Sequence, residues 1–341
     1  MMDIVTDVSE VEWKSFLDNC DEATIYHTPE WKRFLKDTFA YEPLHIFAKD
    51  DTGQITGMLP LFYIKSKLTG NRLCSTPFSH SCGLVGNQES FDSLINRSLD
   101  IFGTIDAKYI EIRDSVNSNK FQINNSFSTY ILDVSKNVDV LWTELSSNAR
   151  RSTRQSKKNG LSVRVTRDMD DLKSFYQINS MTKKEIGVPC HPWKFFRNLF
   201  DIFKENISLY IVEYNDEMIA GGIRIYYKDT VIAGYAASNP EFVNMRPYNI
   251  LNWQTIEDSS KSNYKYYDLG RVSYDNEGLM FFKSRWGTVE KKLYYSFYPE
   301  NPMSIVENRD NMKFKIATNM MKRIPMPIYQ QFSNVLFKNF G

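Results

Sequence analysis

The sequence predicts an α+β protein built from two copies of one plan, and three observations carry that expectation. The chain has 341 residues, which at about 150 per domain gives two domains and a remainder. Each half runs helix, helix, antiparallel hairpin, helix, strand. Apolar residues make up 42% of the chain and charged residues 24%, enough to build more than one core and too apolar for a disordered chain.

The elements follow in order. Val11 to Leu17 has a helical pattern, and Thr28 before Pro29 reads as an N-cap with proline in the first helical position. Leu44 to Lys49, a turn at Asp50 to Gly53, and Ile55 to Ile64 read as a hairpin. A Gly/Pro/Ser loop from Ser75 to Gly86 precedes a helix near Phe91 to Phe102 and a strand at Tyr109 to Ile112. In the second half Asp168 caps a helix, and Phe195 to Phe203 forms another. Ile207 to Tyr214, Met218 to Tyr227 and Val231 to Ala237 then form a three-stranded meander. A helix from Pro247, a strand at Tyr264 to Leu269 and a short helix at Leu279 to Trp286 complete the copy.

Lysine and arginine total 42 against 41 acids, a formal net charge of +1. That balance excludes a chain wrapped over its whole surface in nucleic acid, so any basic site is local. The cysteines, Cys20, Cys74, Cys82 and Cys190, show neither a Cys-x-x-Cys pair nor zinc-finger spacing. Reduced thiols in a cytoplasmic protein and no bound metal are the expectation. The start of the sequence lacks a basic stretch followed by an apolar one, so no secretory signal is read. No apolar run approaches the roughly 18 residues a membrane span needs.

Asp139 to Asn159 reads as one helix stopped by Gly160. Leu141, Trp142, Leu145 and Ala149 share one side, and Arg150, Arg151, Arg154, Lys157 and Lys158 fall in an arc of about 120° opposite them. No acid occurs from Ser146 to Arg167. The stripe is either a solvated face suited to the helix dipole or a phosphate site, with Arg150, Arg154 and Lys158 as the contacts. The phosphate would belong to a tRNA, a coenzyme A or a lipid diphosphate.

The densest chemistry lies between Ser238 and Gly287. Tyr264, Tyr266 and Asp268 alternate onto one face of a strand that ends in Gly270-Arg271. On the next helix Leu279, Phe282 and Trp286 form an apolar stripe, with Lys283 at its edge. Such a lysine either snorkels to water or is held in a cleft, where its charge would meet a developing oxyanion. Asp268 either caps the strand end or takes a proton from an attacking amine. His191 is read as a general base or substrate contact, an idle loop histidine being the alternative. Tyr235, in mid-strand, is either core or a substrate contact.

At Tyr267-Asp268-Leu269-Gly270-Arg271 and Phe282-Lys283-x-x-Trp286-Gly287 the sequence resembles the closing signature of the FemABX-like group. Those transferases are built on tandem GNAT-type (acetyltransferase-like) domains. Pro29-x-Trp31 looks like the group's early motif, and Ser147 to Gly160 is similar to its basic linker helix. Gly187-Val188-Pro189-x-His191-Pro192 and Arg323-Ile324-Pro325-Met326-Pro327 resemble segments of the branch linked to exopolysaccharide gene clusters. Leu269 stands where the group usually has Phe.

The resemblance implies two tandem GNAT-like domains with mainly antiparallel sheets. The expected divisions are 1–138, a basic linker helix 139–160, a second domain 161–300, and a helical tail 301–341. The tail is expected to pack on the first domain, contact with lipid headgroups being the alternative. The resemblance also implies transfer of an acyl or aminoacyl group to an amine on a cell-wall or surface-glycan precursor. Lys283 and Asp268 are the candidate catalytic residues, and Arg271, His191, Tyr235, Phe282 and Arg246 the candidate substrate contacts.

No permanently bound cofactor is expected, the donor being an aminoacyl-tRNA or an acyl-CoA. Acetyl-CoA-dependent domains carry glycines between the fourth strand and the next helix, where backbone N–H groups reach the pyrophosphate. Here the junction reads Asn244-Met245-Arg246-Pro247-Tyr248, which counts against coenzyme A. The rival readings are a CoA-dependent acetyltransferase on an amino sugar and a non-catalytic module for anionic ligands.

Overall fold

In a computed structural model of the protein, residues 2–299 and 312–339 are described, the side chains of 312–317 excepted. The described chain divides into two units, one of residues 2–126, 293–299 and 338–339 and the other of 127–292 and 312–337. Two of the crossings, after Ser126 and before Leu293, fall inside strands rather than in linkers.

The first unit contains β1 (Asp3–Val5), α1 (Glu10–Asp18), α2 (Pro29–Phe39), β2 (Glu42–Pro43), β3 (Ile46–Lys49), β4 (Ile55–Leu59), β5 (Phe62–Ile64), β6 (Arg72–Cys74), β7 (Val85–Gly86), α3 (Phe91–Thr104) and β8 (Tyr109–Ile112). Ser9 and Glu12 form a reciprocal capping box on α1, and Thr28 caps α2 as its position before Pro29 predicts. One sheet has the order β1-β3-β4-β7; in another, β8-β6-β5-β2 run side by side. The expected hairpin strand Ile55 to Ile64 is therefore two strands in two sheets. Pro60 offers no N–H to a ladder, and the Leu61 N–H is taken by His45 Nδ1 at 3.0 Å.

β9 (Gln122–Asp133) leads into the second unit. That unit holds α4 (Val138–Glu144), α5 (Ser147–Lys158), β10 (Ser162–Thr166), α6 (Met169–Ile186), α7 (Trp193–Phe203), β11 (Ile207–Tyr214), β12 (Glu217–Tyr227), β13 (Thr230–Ser238), α8 (Pro247–Lys261), β14 (Tyr266–Ser273) and α9 (Glu277–Ser284). β15 (Val289–Tyr298) follows, and α10 (Met312–Arg323) and α11 (Met326–Phe337) end the described chain. The sheet order is β10-β11-β12-β13-β14-β9, antiparallel except between β13 and β14. Tyr267, Trp253, Ile256 and Trp286 fill a core under β14 and α8.

The expected single helix over 139–159 is two helices. Leu145 is extended (φ −60°, ψ 145°), and Ser146 starts α5 as its N-cap, accepting from Ala149 N at 3.2 Å. The Ser146 N–H goes to the carbonyl of Arg285 at 3.1 Å, so the break is held from outside the helix. α5 also lies within the second unit rather than between two domains. Gly160 does stop it, at φ +82°.

The tail departs from expectation too. α10 and α11 pack on α6 of the second unit. Tyr329 donates to the Val188 carbonyl and Gln330 to Gln177 at 3.1 Å. Of the described tail residues, Lys338 and Asn339 belong with the first unit, accepting from Tyr41 at 2.6 Å and Thr69 at 3.0 Å. Tyr329, Met321 and Cys190 share a buried cluster, which holds both helices on the second unit. The part of the expected tail at 301–311 lies outside the described residues. Among the described residues no helix is long and apolar enough to cross a membrane.

Candidate functional site

The site begins with a parallel strand pair that stops early. β13 and β14 pair at Thr230 with Tyr266, Val231 with Tyr267 and Ile232 with Asp268, and no further. Beyond that point β13 continues on β12, with an irregularity opposite Ile223 and Arg224. β14 continues on β9, pairing Arg271 with Thr129 and Val272 with Ser128. The two strands part after Ile232. Ala233, Gly234 and Tyr235 are only half-buried and Ala236 is exposed, although the strand is internal to the sheet. Backbone groups along the parted edge are placed to meet a ligand.

Lys283 stands at this opening. Asn276 caps α9 through Leu279 N at 3.1 Å, and the short helix brings Lys283 back over β14. Its side chain is buried, with only 6% of the residue exposed, so it does not snorkel. Nζ donates to the carbonyl of Gly270 and to that of Arg271 at 3.2 Å. Gly270 sits at φ +79° in the irregularity of the β14–β9 ladder, which turns these carbonyls out of regular pairing. Burial pulls the ammonium down to about 8, opposed by the Asp268 charge and helped by that of Arg271. An ammonium has three N–H groups; two are used, and one remains for a ligand.

Asp268 is half-buried, and its Oδ1 accepts from the Thr129 hydroxyl and from Gly270 N at 2.8 Å. Both bonds fix the carboxylate beside Lys283. Thr129 is absent from the residues the sequence motifs point to. Its signal is the β-branched and aromatic run Ser128-Thr129-Tyr130-Ile131-Leu132 in β9. Arg271 is exposed, with its guanidinium 4.5 Å from the centre of the Phe127 ring. Phe282 is half-buried, edge-on to Trp286 at 6.0 Å. Lys283, Asp268, Arg271 and Phe282 thus come together.

His191 and Tyr235 form a second cluster. The His191 ring meets Phe195, Phe196, Tyr235 and Phe337 at centroid distances of 4.9, 5.2, 5.0 and 4.6 Å. Burial, and then the Lys183 charge, hold the imidazole well below its usual range, and Nδ1 is buried without a hydrogen-bond partner. This is a neutral packing residue rather than a solvent-facing base. The expectation of a general base gives way because aromatic rings enclose it. Burial also pushes the Tyr235 phenol up, which disfavours its ionisation.

Arg246 adopts φ +63° and precedes Pro247, which opens α8 without an N–H to offer. The guanidinium is turned onto Ser152 of α5, and the Arg246 carbonyl accepts from Ser156 at 2.9 Å and from Asn249 N at 3.0 Å. The first turn of α8 is closed against α5 rather than shaped as a pyrophosphate cradle. On α5 itself, Ala149, Ser152, Thr153 and Ser156 are buried. Arg154 and Lys158 are exposed, with Arg154 5.4 Å over the Trp142 ring, and half-buried Arg150 donates to the Thr143 carbonyl at 3.1 Å. Among the described residues no acid forms an ion pair with the five cations of this helix. No group of three or more His, Cys, Asp or Glu could hold a metal ion, again among the described residues.

Comparison with known proteins fits this geometry. Residues 144–284 match the acetyltransferase (GNAT) domain family. No curated protein matches the chain. Among solved structures, a crystal structure of FemX superposes with a TM-score of 0.68 at 16% identity, covering 89% of this chain and 99% of that one. The C-terminal domain of a putative lysylphosphatidylglycerol synthetase from Agrobacterium fabrum gives 0.61 at 9%, covering 87% and 94%. A tandem GNAT protein from the clavulanic acid biosynthesis pathway gives 0.55 at 9%, covering 87% and 98%. The family match falls on the unit with the parted strands: residues 144–284 are similar to a GNAT-type acetyltransferase domain, and the fold of the chain is similar to that of FemX and of tandem GNAT proteins.

Proposed function

We propose that this chain transfers an aminoacyl group from a tRNA ester to an amine on a cell-wall or surface-glycan precursor, with Lys283 and Asp268 as the catalytic pair. The observation that carries the reading is the buried Lys283 ammonium at the parted β13–β14 edge, with one N–H left over. The amine nitrogen attacks the ester carbonyl carbon. An N–C bond forms, the ester C–O bond breaks, and the alcohol oxygen leaves with a proton. The remaining Lys283 N–H stabilises the oxygen on which negative charge develops, in a site with little competing water. Asp268, both of whose hydrogen bonds fall on Oδ1, keeps Oδ2 to accept the proton that the amine loses. Arg271 and Phe282 contact the acceptor, and a cytoplasmic location places donor and acceptor together.

GNAT domains use an acyl-CoA as co-substrate, and transfer from acyl-CoA to an amino sugar is the second reading, favoured by the family match. The α8 turn supports the tRNA ester instead. Pro247 has no N–H to present to a pyrophosphate, while the Asn249 N–H and the Arg246 side chain are already engaged. Arg150, Arg154 and Lys158 suit the phosphates of a polynucleotide donor. Parallel incubations with aminoacyl-tRNA and acyl-CoA, read by mass spectrometry of an amine acceptor, test the choice. Modification with aminoacyl-tRNA alone is expected, and modification with acyl-CoA alone would replace this reading with the second.

A further inference from the structure

α11 is apolar on two sides. Tyr329, Ser333 and Phe337 are buried. At 100° per residue, Ile328, Phe332 and Val335 fall in a separate arc about 60° wide, and they are 57%, 46% and 64% exposed. Met320 of α10 adds a further side chain, 61% exposed. Among the described residues the packing of the unit buries the first face, and the second is an exposed i, i+4, i+7 stripe.

Charge decides what suits that stripe. Residues 312–341 contain five cations, Lys313, Lys315, Lys322, Arg323 and Lys338, and no acid. The rest of the chain has more acids than cations. Lys322 and Arg323 are exposed. Lys184 of α6 donates to the Lys322 carbonyl at 2.8 Å, bringing another cation to the end of α10. A second copy of the chain seated on this face would set cation against cation. A surface that is both apolar and anionic satisfies the stripe and the charges together.

We propose that the outer face of α11 lies in the plane of an anionic lipid membrane, with Ile328, Phe332 and Val335 inserted among the acyl chains and Lys322 and Arg323 at the headgroups. Twelve residues at about 1.5 Å each are too short to span a bilayer but suffice for an in-plane contact that combines apolar burial with charge. This contact would hold the carboxy-terminal unit at a membrane surface whichever acyl donor it uses.

The test is co-sedimentation of the full chain with vesicles of phosphatidylglycerol and phosphatidylcholine, or of phosphatidylcholine alone. Binding to the anionic vesicles only is expected, weakening as salt rises. The double variant Phe332→Ser with Val335→Ser should lower partition about tenfold or more, and Lys322→Glu with Arg323→Glu should lower it at low salt. All four side chains are exposed, so thermal melting should be unchanged. No binding to anionic vesicles, or equal binding by the variants, overturns the proposal. A concentration-dependent dimer abolished by the Phe332 and Val335 changes would assign the face to a second copy and overturn it equally.

Discussion

Both units contain a short parallel strand pair, and they finish it differently. In the first, β6 and β8 pair through Cys74 and Glu111, and the loop after β6 then folds back to seal the edge. Ser75 N donates to Glu111 O at 2.8 Å, Arg113 N to the Ser75 hydroxyl at 2.8 Å, and Cys82 N to Arg113 O at 3.0 Å. The Arg113 guanidinium is engaged as well, on Glu111 at 2.8 Å and on the Ser79 carbonyl at 2.9 Å. In the second, β13 and β14 part after the same number of rungs, and among the described residues no loop pairs with the parted edges in this way. Lys283 reaches the β14 carbonyls and retains a donor. One plan thus yields a closed edge, where the polar groups satisfy one another, and an open edge, where strand pairing stops without such a seal among the described residues.

The largest expected effect comes from removing the cation at the open edge. Lys283→Ala should lower transfer by about 10²-fold to 10³-fold. The buried bonds to the Gly270 and Arg271 carbonyls mean that it should also cost about 1–3 kcal/mol of stability. Activity assays on protein shown folded by circular dichroism check this.

At the closed edge the effect should be on stability alone. Arg113→Met removes the buried guanidinium that bonds the half-buried Glu111 and the Ser79 carbonyl, and a loss of about 3 kcal/mol in a urea melt is expected, with turnover per folded molecule unchanged. A matching fall in turnover would show that the first unit also serves the chemistry.

A smaller change sharpens the open edge. Thr129→Val removes one of the two donors on Asp268 and should slow transfer roughly tenfold, while Thr129→Ser restores it. Equal rates for Val and Ser would mean that the hydroxyl does not position the carboxylate. Stability should also respond to pH at this edge. Lys283 titrates lower folded than unfolded, so the unfolded chain binds more protons between about 8 and the ordinary lysine value. Stability therefore rises across that window, and the penalty for burying the charge is present below it.

Much of this is legible in the sequence where the signal is local. The caps at Thr28 and Asp168, the stop at Gly160 and the meander from Ile207 to Ala237 follow from turn chemistry and period. The break at Leu145 and Ser146 is not, because the apolar spacing runs on through it and the Arg285 carbonyl that anchors it is distant in sequence. Nor are β9, β10 and β15, whose polar exposed positions blur alternation. In the site, the Lys283 and Asp268 motif is readable, but the burial of that lysine, the part of Thr129 and the enclosure of His191 depend on contacts between distant segments.

The most direct test of the central claim is the pH dependence of aminoacyl transfer to an amine acceptor, measured under kcat/KM conditions for the wild type and Lys283→Arg. A rate that falls above a pKa of about 8 in the wild type, with that limb absent in the arginine variant, is the expected result. A profile that keeps the same limb after Lys283→Arg would contradict the assignment of the charge at the open edge to catalysis.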